Sequence, residues 1–546
     1  MKRSRWFALV VAMVVVAMIA AGCAPQATPP KTEPKPATPP APPKEEPKYG
    51  GTFIVAQYSD ITNLCPFLST DGASNVVNTI IHRPLVQYRY NNVPTPVMAE
   101  SWSFSTDGLT WTFKLRKGIK WHDGTEFTAE DVKFTYETIL DPKTKSVRAG
   151  DLAPVKKIET PDPYTVVLTT EKPYAPLIDK VATLPIVSKK HIEKIGGLEN
   201  YNKNPLGTGP FKFKERVPEE KVVLVRFDDY FEGKPYLDEI VFKAIPEPSV
   251  RMMALDSGEA HWNWWAVPEE DIPRLKADSK FTVLQTLRTD FHFFGINHFK
   301  PFFKDVKVRQ AFVYATDKES IVKNLATYTG IVAHGPYSDG YGDYVNKNIM
   351  KMPYNLEKAK QLLNDAGWKL NEKTGIREKD GKPFKIDCMI QQGDELRKNI
   401  SVLIQKSLKD IGVDMQIRER EWSALLDALT KTRDNWDTVV VQFGASPDPD
   451  HHTIFHSKGG FDLGNYSNPK VDEALDKGRV VLDPKQRKVY YDEYQKIAAE
   501  DVATVFLWHS VGVNLLSSRF KGMTNEPAGQ AQIIHKVWDT KATGTK

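Results

Sequence analysis

Residues 384–443 read FKIDCMIQQGDELRKNISVLIQKSLKDIGVDMQIREREWSALLDALTKTRDNWDTVVVQF. Phe384, Ile386, Cys388 and Ile390 fall on alternate positions, the period of a strand. Leu403, Ile404 and Leu408 then fall on one helical face. Val413, Met415 and Ile417 alternate again, Trp422, Leu425, Leu426 and Leu429 return to helical spacing, and Trp436-Asp437-Thr438-Val439-Val440-Val441 has the composition of a buried strand. The order β-α-β-α-β is the grammar of a wound α/β lobe. Ligands of such sheets lie beyond the carboxyl ends of the strands. That rule nominates Gln391 and Gln392, then Glu421 and Trp422, then Gly444, Ala445, Ser446 and Asp448 as candidate binding residues.

Towards the amino terminus the composition changes abruptly. Lys2, Arg3 and Arg5 precede an apolar run from Trp6 to Ala21, which ends in Ala20-Ala21-Gly22-Cys23. Sixteen apolar residues are short for a membrane span, and with small residues before a cysteine they predict a cleaved export signal over 1–22. Ten of the twenty-five residues 24–48 are proline. Such a segment buries no core and extends at about 3.1 Å per residue, so 23–48 is expected to be a tether.

The remaining 500 or so residues are enough for two or three domains. With 41% apolar and 11% aromatic residues the chain is globular. The formal charge of +5 falls to +2 when the three cations of the signal leave, too weak a bias for nucleic acid or a polybasic membrane patch. Cys65 and Cys388 are expected to be two buried thiols rather than a disulfide.

Thr52-Phe53-Ile54-Val55-Ala56 is a short strand, followed by a loop from Gln57 to Thr70 that holds Tyr58, Asp60, Asn63 and Cys65. Loops at strand ends are where a rigid scaffold places binding groups. Thr110 to Arg116 alternates as a half-buried strand. Asp123-Gly124 marks a turn, and Thr128 with Asp131 reads as a capping box for a helix whose apolar face is Val132, Tyr136, Ile139 and Leu140. Phe113 to Val132 closely resembles the signature of bacterial extracellular solute-binding proteins of family 5, the oligopeptide- and dipeptide-binding components of ABC importers. In that family the stretch is structural, so His122 and Asp123 are read as turn residues and not as catalysts. Asn204-Pro205-Leu206-Gly207-Thr208-Gly209-Pro210-Phe211 resembles the family's glycine turn, and it fails as a phosphate loop because Pro210 lacks a backbone donor and no Lys-Ser/Thr follows. Phe294-Gly295-Ile296-Asn297, Val306 to Ala311, Ala315-Thr316-Asp317 and Asn355 to Trp368 continue the resemblance in order.

The resemblance implies a two-lobed periplasmic-binding-protein-like α/β fold of type II with the ligand cleft between the lobes. Lobe I would span 49–286, with an extra subdomain at about 84–200, lobe II would span 287–509, and 510–546 would return to lobe I. The crossings would fall near 284–290 and 506–512. Ala20-Ala21-Gly22-Cys23 resembles a lipobox, which implies acylation of Cys23, although Ala20 stands where Leu is usual. The implied function is capture of an oligopeptide by lobe closure for an ABC permease and its ATPases, outside the membrane, by a monomer with no cofactor and no covalent chemistry. An oligosaccharide is the alternative ligand and a surface hydrolase the competing class. No nucleophile elbow, His-Glu-x-x-His or Walker loop is present, and Glu421 has no positioned partner for acid catalysis.

Trp262, Asn263, Trp264 and Trp265 form the most unusual cluster in the chain, and in the resembling family this segment borders the cleft of the first lobe. Its flat indoles would suit sugar rings or aromatic side chains. Phe443 to Asp450 resembles the family's second-lobe loop, whose aspartate pairs with a peptide amine. Ser446 or Ala445 stands at that point, with Asp448 close by, and Gln442 stands where some relatives carry Arg. His451, His452 and His456 are read as a solvated loop rather than a metal site, because no carboxylate is placed by the sequence to complete a ligand set.

Overall fold

The computed structural model describes residues 45–89, 93–265, 267–461, 464–525 and 529–544. The expected signal peptide, Cys23 and the tether up to residue 44 lie outside the described residues. The compact unit that carries every feature below begins at Pro47.

Its frame is an eleven-stranded sheet. One half holds β1 (Thr52–Gln57), which the helix α1 (Gly72–Ile81) follows, and β2 (Trp262–Asn263), with three further strands beyond β1 to the edge. The long strand β3 (Phe281–Ile296) runs on to the other end, which holds β4 (Lys385–Gln391), α2 (Glu395–Asp410), β5 (Asp414–Arg420), α3 (Trp422–Thr430) and β6 (Thr438–Phe443). Helices α4 (Pro469–Val480) and α5 (Pro484–Glu500) precede a second long strand, β7 (Val505–Ser517). The expected β-α-β-α-β unit is present. β4 pairs in parallel with β5 on one side and with β6 on the other. Asp394 starts α2 by accepting the Arg397 amide at 2.9 Å, Ile400, Ile404 and Leu408 are buried on its inner face, and Gly412, at φ +82°, lets the chain turn into β5.

The two long strands join the halves. They pair antiparallel from Phe281 opposite Ser517 to Phe294 opposite Val505. At one end β7 also pairs with β2, and at the other β3 also pairs with β6. Between Leu287 and Phe291 the register slips, so that Arg288, Thr289 and Asp290 leave the ladder. The stretches 284–290 and 506–512 lie in these two strands. Each half has its own core, around Phe53, Ile80, Trp262 and Leu516 on one side and around Phe294, Phe312, Ile386 and Ile404 on the other. The chain therefore folds as two α/β lobes that share two strands.

A four-stranded antiparallel sheet built from Ala99–Phe104, Thr110–Leu115, Thr165–Thr170 and Val155–Asp162 adds a third core, including Phe113, Trp121, Val132, Tyr136 and Leu168. The Asp131 carboxylate accepts the Thr128 amide at 3.1 Å, as the capping-box reading requires, and its other oxygen accepts the Lys189 amide at 3.0 Å. His122 is a turn residue here. Its Nε2 lies 2.9 Å from the Gly209 carbonyl, and burial pushes its pKa down to about 3. The glycine turn that it holds packs on the end of α1, where a Cβ at Gly207 would sit 1.8 Å from the Ile81 carbonyl oxygen. Cys65 and Cys388 are free and buried. Among the described residues no helix is long and apolar enough to cross a membrane.

Candidate functional site

Where the long strands leave their ladder, a cavity of about 460 Å³ opens. Its floor is the irregular segment Thr286 to Asp290 with Gly512 and Asn514 of β7. Val76 and Thr79 of α1 stand with Trp262 and Trp264 on one wall, and Gly444, Ala445 and Pro447, just after β6, form the other. Tyr88 and Thr183, which flank the small sheet, close a third side. The size is that of a site enclosing a small organic ligand.

The aromatic wall follows from the alternation of a strand interrupted after two residues. Trp262 is directed into the first core, stacked 6.2 Å from Phe53. Asn263 is buried, and its Nδ2 donates to the Trp265 carbonyl at 2.9 Å, which turns the chain back. Trp264 therefore reaches the cavity half-buried, its indole N–H donating to Gln57 Oε1 at 2.7 Å. Trp265 is directed away to stack on Tyr58, ring centroids 4.5 Å apart at 26°. Burial, with the nearby Asp71 carboxylate, pushes the Tyr58 phenol above its usual range.

The opposite wall presents the small residues Gly444 and Ala445 with Pro447. Asp448 turns into lobe II, where its two oxygens accept from Arg487 Nη1 and Nη2, both at 2.9 Å. The Ser446 hydroxyl is 3.3 Å from the Asp448 carbonyl, and its own carbonyl accepts from Tyr341 at 3.1 Å. Thr289 donates to the Ala445 carbonyl at 2.8 Å and ties this wall to the floor.

Among the described residues Asp290 is the only carboxylate lining the cavity. It accepts from Arg288 Nε at 2.8 Å and from the Gln442 side-chain amide. Burial acts to raise its pKa, but Arg288, Ser510 and Gln442 more than offset that and hold it below the ordinary carboxylate range. Sequence reasoning missed Asp290 and its partner. The one signal was Arg288-Thr289-Asp290 interrupting a strand otherwise rich in aromatic and branched residues.

Gln391, Glu421 and Trp422 form a separate group that does not line this cavity. Arg397 Nη1 donates to Gln391 Oε1 at 2.7 Å and its guanidinium lies 5.2 Å from the Trp422 ring centre. The Glu421 carboxylate caps α3 by accepting the Ser423 and Ala424 amides at 2.8 and 3.2 Å.

Beside the cavity the small-sheet region meets lobe II through charged groups. The Ala175 amide donates to the Arg479 carbonyl at 2.7 Å, and the Arg479 guanidinium lies over Tyr174 while pairing with Asp450 at 2.9 Å. Asp179 is 1% exposed, 3.7 Å from Lys180, and its Oδ1 accepts no hydrogen bond. Burial is the main cause that pushes its pKa up to about 7, with Lys180 opposing and Asp448 adding to the rise.

Two lobes that share two strands and line one cavity form a cleft able to enclose a ligand. The profile of "Bacterial extracellular solute-binding proteins, family 5 Middle" matches residues 93–462. The oligopeptide-binding protein AppA of Bacillus subtilis is 33% identical over 505 residues, covering 90% of this chain and 92% of AppA. Its structure in complex with a nonapeptide superimposes with a TM-score of 0.74 at 31% identity, over 91% of this chain and 100% of that one. NikZ of Campylobacter jejuni, solved in complex with Ni(L-His), superimposes with a TM-score of 0.75 at 28% identity, over 89% and 99%. This chain belongs to the family 5 extracellular solute-binding proteins.

Proposed function

We propose that this protein captures oligopeptides outside the membrane and presents them to the permease of an ABC importer, held at the cell surface through a lipid on Cys23. The cavity at the strand crossing carries this reading. Its walls come from both lobes, so a ligand between them contacts both and stabilises their closed arrangement by its differential affinity. Trp264 on one wall and Gly444 and Ala445 on the other supply the opposing contacts, and Asp290 and Arg288 set the charge preference of the floor. AppA of Bacillus subtilis, 33% identical to this chain, is an oligopeptide-binding protein, which supports peptide as the ligand class. The reaction is binding and release without covalent chemistry.

The aromatic wall favours one second reading, an oligosaccharide stacked on Trp264. Native mass spectrometry of protein purified from its own host, followed by denaturing release, separates the two. Co-purified peptides support the proposal. Sugars replace it with the second reading, and a processed product that accumulates on added substrate would make the protein an enzyme and overturn both.

A further inference from the structure

The histidines after the loop wall do not form a solvated loop. His452 opens a single helical turn, His452–Phe455, and His456 follows it, so the two side chains lie one turn apart. Their imidazoles stack with centroids 4.0 Å apart at 18°. Helix α4 crosses behind them and brings Asp476, twenty residues further along the chain, to both rings. Its Oδ1 is 3.5 Å from His452 Nε2 and 3.5 Å from His456 Nε2, and the three atoms lie within 4.8 Å of one another.

We infer that His452, His456 and Asp476 form a site for a divalent transition-metal ion of the zinc class, outside the cleft. A tetrahedral ion with metal–nitrogen and metal–oxygen distances near 2.0–2.1 Å sets its ligand atoms roughly 3.4 Å apart. Both nitrogen-to-oxygen separations match that edge and are longer than ordinary hydrogen bonds. Imidazole with carboxylate suits zinc, nickel or copper over calcium and magnesium, which prefer all-oxygen shells.

The surroundings supply an outer shell. Asp472, also on α4, is fixed by the Ser457 amide and hydroxyl at 2.8 and 2.5 Å, and its Oδ1 lies 3.9 Å from His456 Nδ1. His456 Nδ1 accepts the Lys458 amide at 2.9 Å. An ion on Nε2 requires the proton on Nδ1, which then turns to Asp472 as ligating histidines turn to carboxylates generally. His456 is buried, whereas the Asp476 side chain is 63% exposed, so one coordination position faces solvent and remains for water.

The test is equilibrium dialysis of the metal-stripped full chain against micromolar zinc chloride, with Co²⁺ as a spectroscopic substitute. Wild type is expected to retain one equivalent of zinc and to give the intense visible bands of four-coordinate Co²⁺. His452→Ala should lose about 100-fold or more in zinc affinity, and Asp476→Asn about 10- to 100-fold. Asp476→Asn alters an exposed side chain and keeps the test valid should His456→Ala fail to fold. Wild type that retains no zinc, or Asp476→Asn and His452→Ala that retain as much as wild type, would overturn the site.

Discussion

The two walls of the cavity are built in opposite ways. On the aromatic wall the side chains face inward, Trp264 held by Gln57 and flanked by the Tyr58–Trp265 stack. On the loop wall the side chains face outward, Asp448 locked to Arg487 and Ser446 folded over its own loop, so that Gly444, Ala445 and Pro447 meet the cavity. One wall can select by side-chain chemistry, while the other offers peptide groups common to many ligands. Relatives solved with a nonapeptide and with a nickel–histidine complex share the frame. Among these relatives the frame is thus separable from the choice of ligand.

The strongest way to break this contrast is to free Asp448. Arg487→Ala leaves a buried carboxylate without its bidentate partner, and the expected loss is about 3–5 kcal/mol of stability in chemical denaturation. A much smaller loss would mean that Asp448 is not locked and can turn to a ligand.

Asp179 gives the next largest effect. Its carboxyl, at about 7 against an ordinary 3.8, holds a proton in the native protein that the unfolded chain has already lost over that range. Native protein binds more protons than unfolded there, so stability falls as pH rises from about 4 to 7, by about 4 kcal/mol at most. Thermal unfolding of Asp179→Asn across that range should show the slope removed and neutral-pH stability raised. An unchanged slope assigns the titration to another group.

Trp264→Ala, on the selecting wall, should weaken ligand binding by about 1–3 kcal/mol with the fold intact. The smallest effect belongs to Glu421→Gln. That carboxylate is exposed and caps α3 away from the cavity, so ligand affinity should not change in a calorimetric titration.

Much of the fold was legible because local patterns and tertiary packing agree. The alternation over 384–390, the helical face of 403–408 and the capping box at Thr128 each fold as their periods require. The site was less legible because its geometry is long-range. The rule that ligands sit at strand ends applies to the sheet as a whole, yet β5 is its edge strand, and Glu421 and Trp422 at its end stand apart from the crossing. Asp448 meets a partner 39 residues later and Asp476 meets histidines 20 and 24 residues earlier, separations that leave no periodic trace. Asp290 is set by a slip of register in a strand pair more than 200 residues apart in sequence.

A ligand held at the strand crossing touches Trp264 on one wall and the Gly444–Pro447 loop on the other. Calorimetric titration of wild type, Trp264→Ala and Glu421→Gln with the ligand released from the purified protein tests this placement most directly. One ligand per chain, weakened binding in Trp264→Ala and wild-type binding in Glu421→Gln are expected. Full affinity in Trp264→Ala together with loss in Glu421→Gln would place the ligand elsewhere and contradict it.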